Sequence, residues 1–394
     1  MAYEVYVTRW DDPGVVEEVI PARGLEFTLP LSNHGACSFS ATVEPGRSFW
    51  RPALSVAMSG ILICRDGVPK WSGRMLGERQ TGPRTFGFTF AEWGSAFEAV
   101  PAVPFPANAE GKHLLTNVND HVLFRRLISD AQAIAGQDYL VQMGSTTGAA
   151  RSDLTINPWD TTTVEVEFRR LGEHAGGPEW YVAATGTLAN PTRTLVLGDR
   201  LGSTTPSTVL EYVENTQDYA PPAARPVLTM LGNIFPTDAR PVFAGGRRGG
   251  NVIAHSARQQ TPGMTASIAV GAGEQAAQLR RYAQAADLLT AGFPRRTGTA
   301  SYQDVSIPAT LQRHADADLT AARGMTTAHT LSTLDGDPDW TGVARGDTVR
   351  VILDTDVYAT ARPLIFTSRV LDIAVLVPDD GPVRVNYTIA EVRG

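Results

Sequence analysis

Thr85–Trp93 reads TFGFTFAEW and Val383–Val392 reads VRVNYTIAEV, so two strand-like runs at opposite ends of the chain close on Thr-apolar-Ala-Glu. The tetrads are Thr89-Phe90-Ala91-Glu92 and Thr388-Ile389-Ala390-Glu391. Working outward, each is preceded by a matching series. Gly60–Met75, GILICRDGVPKWSGRM, gives an apolar strand, a hairpin and a Ser/Arg-led strand. Gly346–Leu353, GDTVRVIL, followed by Ser368-Arg369-Val370, gives the same order again. A repeat of this kind governs the whole fold and has to be read first. It predicts two related small β-barrels, with Arg74 matching Arg369 and Glu92 matching Glu391.

The rest of the 394 residues divides by pattern. Residues 1–105 form the first barrel. Leu25–Leu29 and Phe86, Phe88 and Phe90 alternate with period two, the mark of strands with one buried face. Asp66-Gly67 is a hairpin turn, since both residue types accept positive φ. The prolines at 101, 104 and 106 end regular pairing. Residues 106–192 read as an α/β insertion. Its first helix is Asn119–Ala135, with an N-cap at Asn119 or Asp120 and a stop at Gly136. A second helix, Thr161–His174, and a strand, Glu179–Val182, follow. Residues 193–243 hold return strands at Thr194–Leu197, Thr208–Tyr212 and Pro226–Leu231. Residues 244–273 are Gly-rich and aperiodic, and are expected to be a loop or an assembly arm carrying Arg247, Arg248, Asn251 and Arg258. Residues 274–324 are expected to be helical, with helices Glu274–Leu289 and Pro308–Ala322. Residues 325–394 form the second barrel. The fold class is mixed β with α+β insertions.

Composition narrows the function. The net charge of −7, from 41 acidic and 34 basic residues, argues against a dedicated nucleic-acid binder. No run approaches the ~18 apolar residues of a membrane helix. The opening MAYEVYVTRWDDPG does not read as a secretory signal. Cys37 and Cys64 are expected to be reduced core residues of a protein made in a bacterial cytoplasm. Lysine occurs only at Lys70 and Lys112, and with heavy Ala, Gly and Pro usage this points to a GC-rich host.

Enzyme chemistry finds no foothold. The seven histidines, His34, His113, His121, His174, His255, His314 and His329, have no metal-ligand spacing. A nucleophile elbow and a Walker loop are both lacking. Asp335, Asp337 and Asp339 alternate as in a calcium loop, yet Trp340 and Gly346 stand where glycine and glutamate are needed. A turn explains them better. No catalytic residue, metal or cofactor is expected.

The N-terminal run, with the Asp66-Gly67 hairpin, Trp71–Met75 and Phe86–Trp93, resembles the opening barrel of bacteriophage tail hub proteins. These are the siphophage minor tail or tail-tip hubs and the related baseplate hubs of contractile tails. Pro308–Ala322, Gly346–Val351, Arg369–Val375 and Val383–Val392 resemble the second barrel of that family, and Ala244–Gly273 has no counterpart. The resemblance implies a tail-hub-like fold and a homotrimeric ring in the virion tail tip that adapts a hexameric tube to threefold tip proteins. It also implies neighbours: a distal tail protein or tail tube ring, a tape measure protein, a central fibre or other tail-tip proteins, and DNA in transit. The competing readings are a receptor- or carbohydrate-binding tail-tip protein, for which Trp159 or Trp180 would line a groove, and a cell-wall hydrolase.

Overall fold

A computed structural model describes residues 2–102, 113–157, 162–172, 177–213, 251–259, 264–273, 277–354 and 364–392, apart from the single positions 45, 47, 49, 50, 57, 135, 137, 207, 291, 293, 304, 324, 325 and 337. The chain opens with seven strands: β1 (Tyr3–Arg9), β2 (Val15–Ile20), β3 (Arg23–Pro30), β4 (Ala36–Thr42), β5 (Ser59–Arg65), β6 (Val68–Gln80) and β7 (Thr85–Glu92). The insertion holds β8 (His113–Asn119), α1 (Asp120–Gln132), β9 (Val141–Met143), β10 (Arg151–Ile156), α2 (Val164–Gly172), β11 (Glu179–Thr187) and β12 (Asn190–Gly198). Then come β13 (Thr208–Val213), β14 (Val252–Gln259), β15 (Ala266–Val270), β16 (Arg280–Gln284), α3 (Ala286–Thr290), β17 (Thr297–Ser301) and α4 (Pro308–Arg323). The chain ends with β18 (Thr326–Leu334), β19 (Thr348–Asp354), β20 (Leu364–Val377) and β21 (Arg384–Val392).

Two copies of one meander emerge from the pairing. The first runs β1-β5-β6-β7-β4-β3 and the second β13-β19-β20-β21-β18-β14. Strands taken in chain order occupy the same places in both. Their registers also agree: Arg74 lies opposite Ala91 on β6·β7, and Arg369 opposite Ala390 on β20·β21. Each ladder shifts register at the next step, between Met75 and Gly77 in one and between Val370 and Asp372 in the other. A shared bulge is a specific match, because it adds one residue and bends the strand at a defined point. One pairing differs: β1 lies antiparallel to β5, whereas β13 lies parallel to β19.

The copies are not separate bodies. β3 of the first pairs antiparallel with the second half of β20, from Asp372 opposite Pro30 to Val377 opposite Leu25. This joins both meanders into one 13-stranded sheet over one continuous core. Phe27, Phe39, Ile61, Trp71, Phe88 and Phe90 meet Val349, Val351, Val370, Ile373, Tyr387 and Ile389 inside it. The Asp66-Gly67 turn between β5 and β6 has φ of 50° and 77°, which suits Asp-Gly and costs a β-branched residue dearly.

The insertion packs a second core, in which Leu123, Phe124, Leu127 and Ile128 of α1 meet Phe168, Trp180 and Leu195 together with Trp93 and Phe97 from the segment after β7. Asn119 caps α1 by accepting from the His121 amide at 3.1 Å. A second small unit sits between β14 and β18, where the first copy has only a hairpin. It consists of β16-β15-β17 covered by α4, with Leu311, Ala315 and Leu319 buried.

Two expectations need correction. Glu274–Leu289 is not one helix: Arg280–Gln284 is β16, antiparallel to β15, and the α-helix described in this stretch is the short Ala286–Thr290. Gly273 at φ 107° turns the chain, and Leu279 bonds back to Ala272, so tertiary pairing overrides the helix propensity of the alanines. Nor is 244–273 an arm throughout, since β14 and β15 lie within it. β14 has no apolar alternation because, among the described residues, its ladder is with β18 alone and most of its length is exposed. Arg247, Arg248 and Pro226–Leu231 lie outside the described residues. On α1, Val122 is exposed and Phe124 is buried. Among the described residues, no helix is long and apolar enough to cross a membrane.

Candidate functional site

Charge converges where the two copies and the insertion meet. Glu92 ends β7 in the buried interior, at 2% exposure. Its oxygens accept from the Gly35 amide at 2.7 Å and from Arg345 at 2.5 and 3.2 Å. Arg345 also donates to the Pro30 carbonyl at 3.0 Å, and its guanidinium lies 4.1 Å from the Tyr181 ring centroid. One side chain of the second copy is thereby held by the first copy and by the insertion. Gly35 is required here, because a Cβ would stand 1.9 Å from the Thr28 carbonyl oxygen. Burial raises the Glu92 pKa, and the attraction of Arg345 works against that rise.

The two matched arginines have different partners. Arg74 donates to the hydroxyl and carbonyl of Ser95 at 2.9 and 3.0 Å, tying β6 to the turn after β7. Arg369 forms a fork-to-fork pair with Glu179 of the insertion and donates to the Gly346 and Leu201 carbonyls at 2.9 and 2.6 Å. Glu391 lies opposite Thr327 on β21·β18, and its side chain is outside the described residues. Asn251 bridges β14 to β13, donating to the Val209 carbonyl and accepting from the Glu211 amide, both at 2.8 Å. Arg258 stands exposed on β14.

Sequence reasoning missed the strongest participants. Arg193 is 2% exposed and donates to the carbonyls of Trp10, Tyr139 and Arg9, with its guanidinium 3.6 Å from the Trp93 ring centroid. Burial lowers its pKa to about 9, which still leaves it a cation at neutral pH. Arg65 sits between Asp335 at 3.0 Å and Asp339 at 2.6 Å. Its hydrogen bond holds Asp339 below the ordinary carboxylate range. Arg65 of the first copy thus clasps Asp335 and Asp339 of the second, and Asp337 lies outside the described residues.

Histidines far apart in sequence also meet. His255 on β14 and His329 on β18 are in contact, with Nε2 to Nδ1 at 3.0 Å. Burial, then the neighbouring His329, lowers the His255 pKa to about 4. A pKa below the unfolded value of about 6.5 means the unfolded chain takes the proton first. Stability from this site is therefore complete above about pH 6.5 and lost as pH falls toward 4. Allowing for solvent screening, roughly 1–2 kcal/mol is at stake. Melting temperature measured against pH should show this loss in the wild type, and His255→Gln should flatten it. Parallel curves for the two proteins would refute the assignment.

His121 bonds Asp199 at 2.9 Å and Thr146 at 3.2 Å, but the Thr146 hydroxyl is turned to the Leu197 carbonyl, and the trio pins a loop onto α1. Trp180 is buried against Phe168, with ring centroids 5.2 Å apart, so it lines no groove. Trp159 is outside the described residues. Among the described residues, no three His, Cys, Asp or Glu side chains gather to hold a metal.

No protein-family profile and no curated protein sequence matches the chain. Solved structures do. The tail protein from Neisseria meningitidis MC58 superposes with a TM-score of 0.61 at 13% identity, over 99% of this chain and 97% of that one. The 43 kDa tail protein of prophage MuSo2 from Shewanella oneidensis gives 0.58 at 11%, over 98% of both chains. Prophage tail protein gp18 from Listeria monocytogenes EGD-e gives 0.54 at 9%, over 98% of this chain and 94% of that one. Identities this low speak for fold alone. The chain has the mostly-β, tail-hub-like fold of phage tail proteins.

Proposed function

We propose that the protein is a structural component of a phage tail tip: a hub subunit in which three chains, each with two β-modules, form a ring. The observation that supports this reading is the doubled meander, with its common strand order and common bulge. Three chains would then offer six near-equivalent modules, so a threefold ring can dock on a sixfold tube. Closed rings need heterologous contacts that close by rotation, and two copies of one module on a chain supply complementary edges. The neighbours in this reading are the tail tube ring or distal tail protein, the tape measure protein, and a central fibre or other tail-tip proteins. The net charge of −7 suits a channel for DNA, because a basic lumen would hold phosphates through counterion release.

Chain mass and symmetry in the assembled particle test the reading. A threefold ring is the expected result, and a monomer or a true sixfold ring of this chain refutes it. The purified protein is expected to leave peptidoglycan and other glycans uncleaved. Turnover that disappears on changing one carboxylate would overturn the structural role.

A further inference from the structure

The internal junction contains a template for a contact between chains. Within one chain, β3 of the first copy pairs with the second half of β20, beyond the point where β19 ends at Arg369. In the first copy the matching stretch is the second half of β6. β5 leaves it at Arg74, and among the described residues Gly77–Gln80 pair with β7 alone. β14 holds the place of β3. The row Phe27, Cys37, Phe90, Met75 across the first copy corresponds to Ala257, His329, Ile389, Val370 across the second. Among the described residues β14 pairs with β18 alone, and Ile253, Ala254 and Ser256–Arg258 are exposed. The second copy thus offers an open β3-like edge, and the first an open β20-like edge.

We infer that β14 of one protomer adds to the Gly77–Gln80 edge of β6 in the next protomer, repeating across chains the β3·β20 junction found inside each chain. The inference rests on the ring reading above and names the edges that close the ring. The internal register sets Val375 opposite Phe27. Carried across, it sets Gln80 of one protomer opposite Ala257 of its neighbour.

The side chains at the two junctions differ in the manner expected of a permanent and a delayed contact. Inside the chain, Ile373 and Val375 meet Leu29 and Phe27, all buried. On the open edges, Glu78 and Gln80 stand where Ile373 and Val375 do, and Ala257 stands where Phe27 does. Charged and polar residues on an open edge keep free chains from pairing indiscriminately. The same register sets Arg79 opposite Arg258, and a like-charge pair delays zipping until other tail contacts hold the chains together. Backbone hydrogen bonds carry the contact, so it needs no large apolar patch.

Cross-linking in assembled particles tests the inference. Directly opposed residues on antiparallel strands have Cα atoms about 4.5–5.5 Å apart, within the ~4.4–6.8 Å range of disulfides. Gln80→Cys combined with Ala257→Cys should give, on oxidation, covalent multimers that end at the ring size. Each single variant should stay uncross-linked, since the native Cys37 and Cys64 are buried. Val68→Cys with Ala257→Cys should also fail, because Val68 lies at the far end of β6. Rings that form without the Gln80–Ala257 cross-link overturn the edge pairing and leave the ring reading standing. A cross-link confined within one chain overturns the edge pairing as well. A chain that is monomeric in the particle overturns both.

Discussion

Arg345→Met and Glu92→Leu, made singly, are each expected to cost about 3–5 kcal/mol of stability, and the double variant far less than their sum. Both side chains are almost fully buried, at 6% and 2% exposure. Removing Arg345 strands a carboxylate with the Gly35 amide as its remaining donor in this junction. Removing Glu92 strands a guanidinium on the Pro30 carbonyl and the Tyr181 ring. A stranded charge in the interior costs more than the pair contributes, and so the coupling should dominate. At about 2 °C per kcal/mol for a chain of this size, each single change lowers the melting temperature by roughly 6–10 °C. A double-mutant cycle by calorimetry measures the coupling. Additive single effects would show that the copies are held by the β3·β20 ladder alone.

pH provides a second readout of that junction. Burial already raises the Glu92 pKa above its ordinary value of 4.5, and Arg345 restrains the rise. In Arg345→Met the restraint is gone. The folded state then holds its proton longer than the unfolded state, so stability must fall as pH rises upward from 4.5 and level off above the raised value. The variant should melt closest to the wild type in acid and furthest from it at neutral pH. A constant gap across that range would mean that Glu92 does not carry the penalty.

The doubled meander was legible because β structure writes its faces into every second residue. Thr-apolar-Ala-Glu at 89–92 and 388–391 marks the same ladder positions, and Arg74 and Arg369 fall opposite Ala91 and Ala390. The junction itself left no local trace. Arg345 finds Glu92 across 253 positions, Arg369 finds Glu179 across 190, and Arg65 finds Asp339 across 274. Each of these arginines sits in a strand or turn that reads as ordinary surface until the partner strand is known. Residues 244–273 read as a loop or arm because an edge strand such as β14, held by backbone bonds, needs no apolar alternation. Glu274–Leu289 reads as a helix because alanine favours helices, while the Gly271–Gly273 turn that sends β16 back along β15 carries the stronger constraint. An arginine such as Arg193, alternating with the buried Leu195 and Leu197 on β12, is the kind of signal that could have been caught: a charge on the inward face of a strand has to meet a built site.

That arginine carries the other large expected effect. Arg193→Ala should cost about 3–5 kcal/mol, and Arg193→Lys should recover less than half of it. Arg193 joins the end of β1 to the insertion through the carbonyls of Arg9, Trp10 and Tyr139, and it stacks on Trp93. An unsatisfied buried carbonyl costs about 1–3 kcal/mol, and the stacked cation adds up to about 2. Lysine keeps the charge, but a single ammonium cannot reproduce a planar fork reaching three carbonyls while lying on an indole. The partners of Arg193 lie at the margin of the core built on Phe124, Phe168 and Trp180: Trp93 is a member of that core, and Trp10 and Tyr139 pack against it. Loss of the arginine should therefore loosen the docking of the insertion before it melts the insertion itself. Hydrogen exchange should rise first at the end of β1 and around Tyr139, with α1 protected until global unfolding. A lysine variant as stable as the wild type, or faster exchange spread evenly over both copies, would show that Arg193 fills space and does not clamp the insertion to the first barrel.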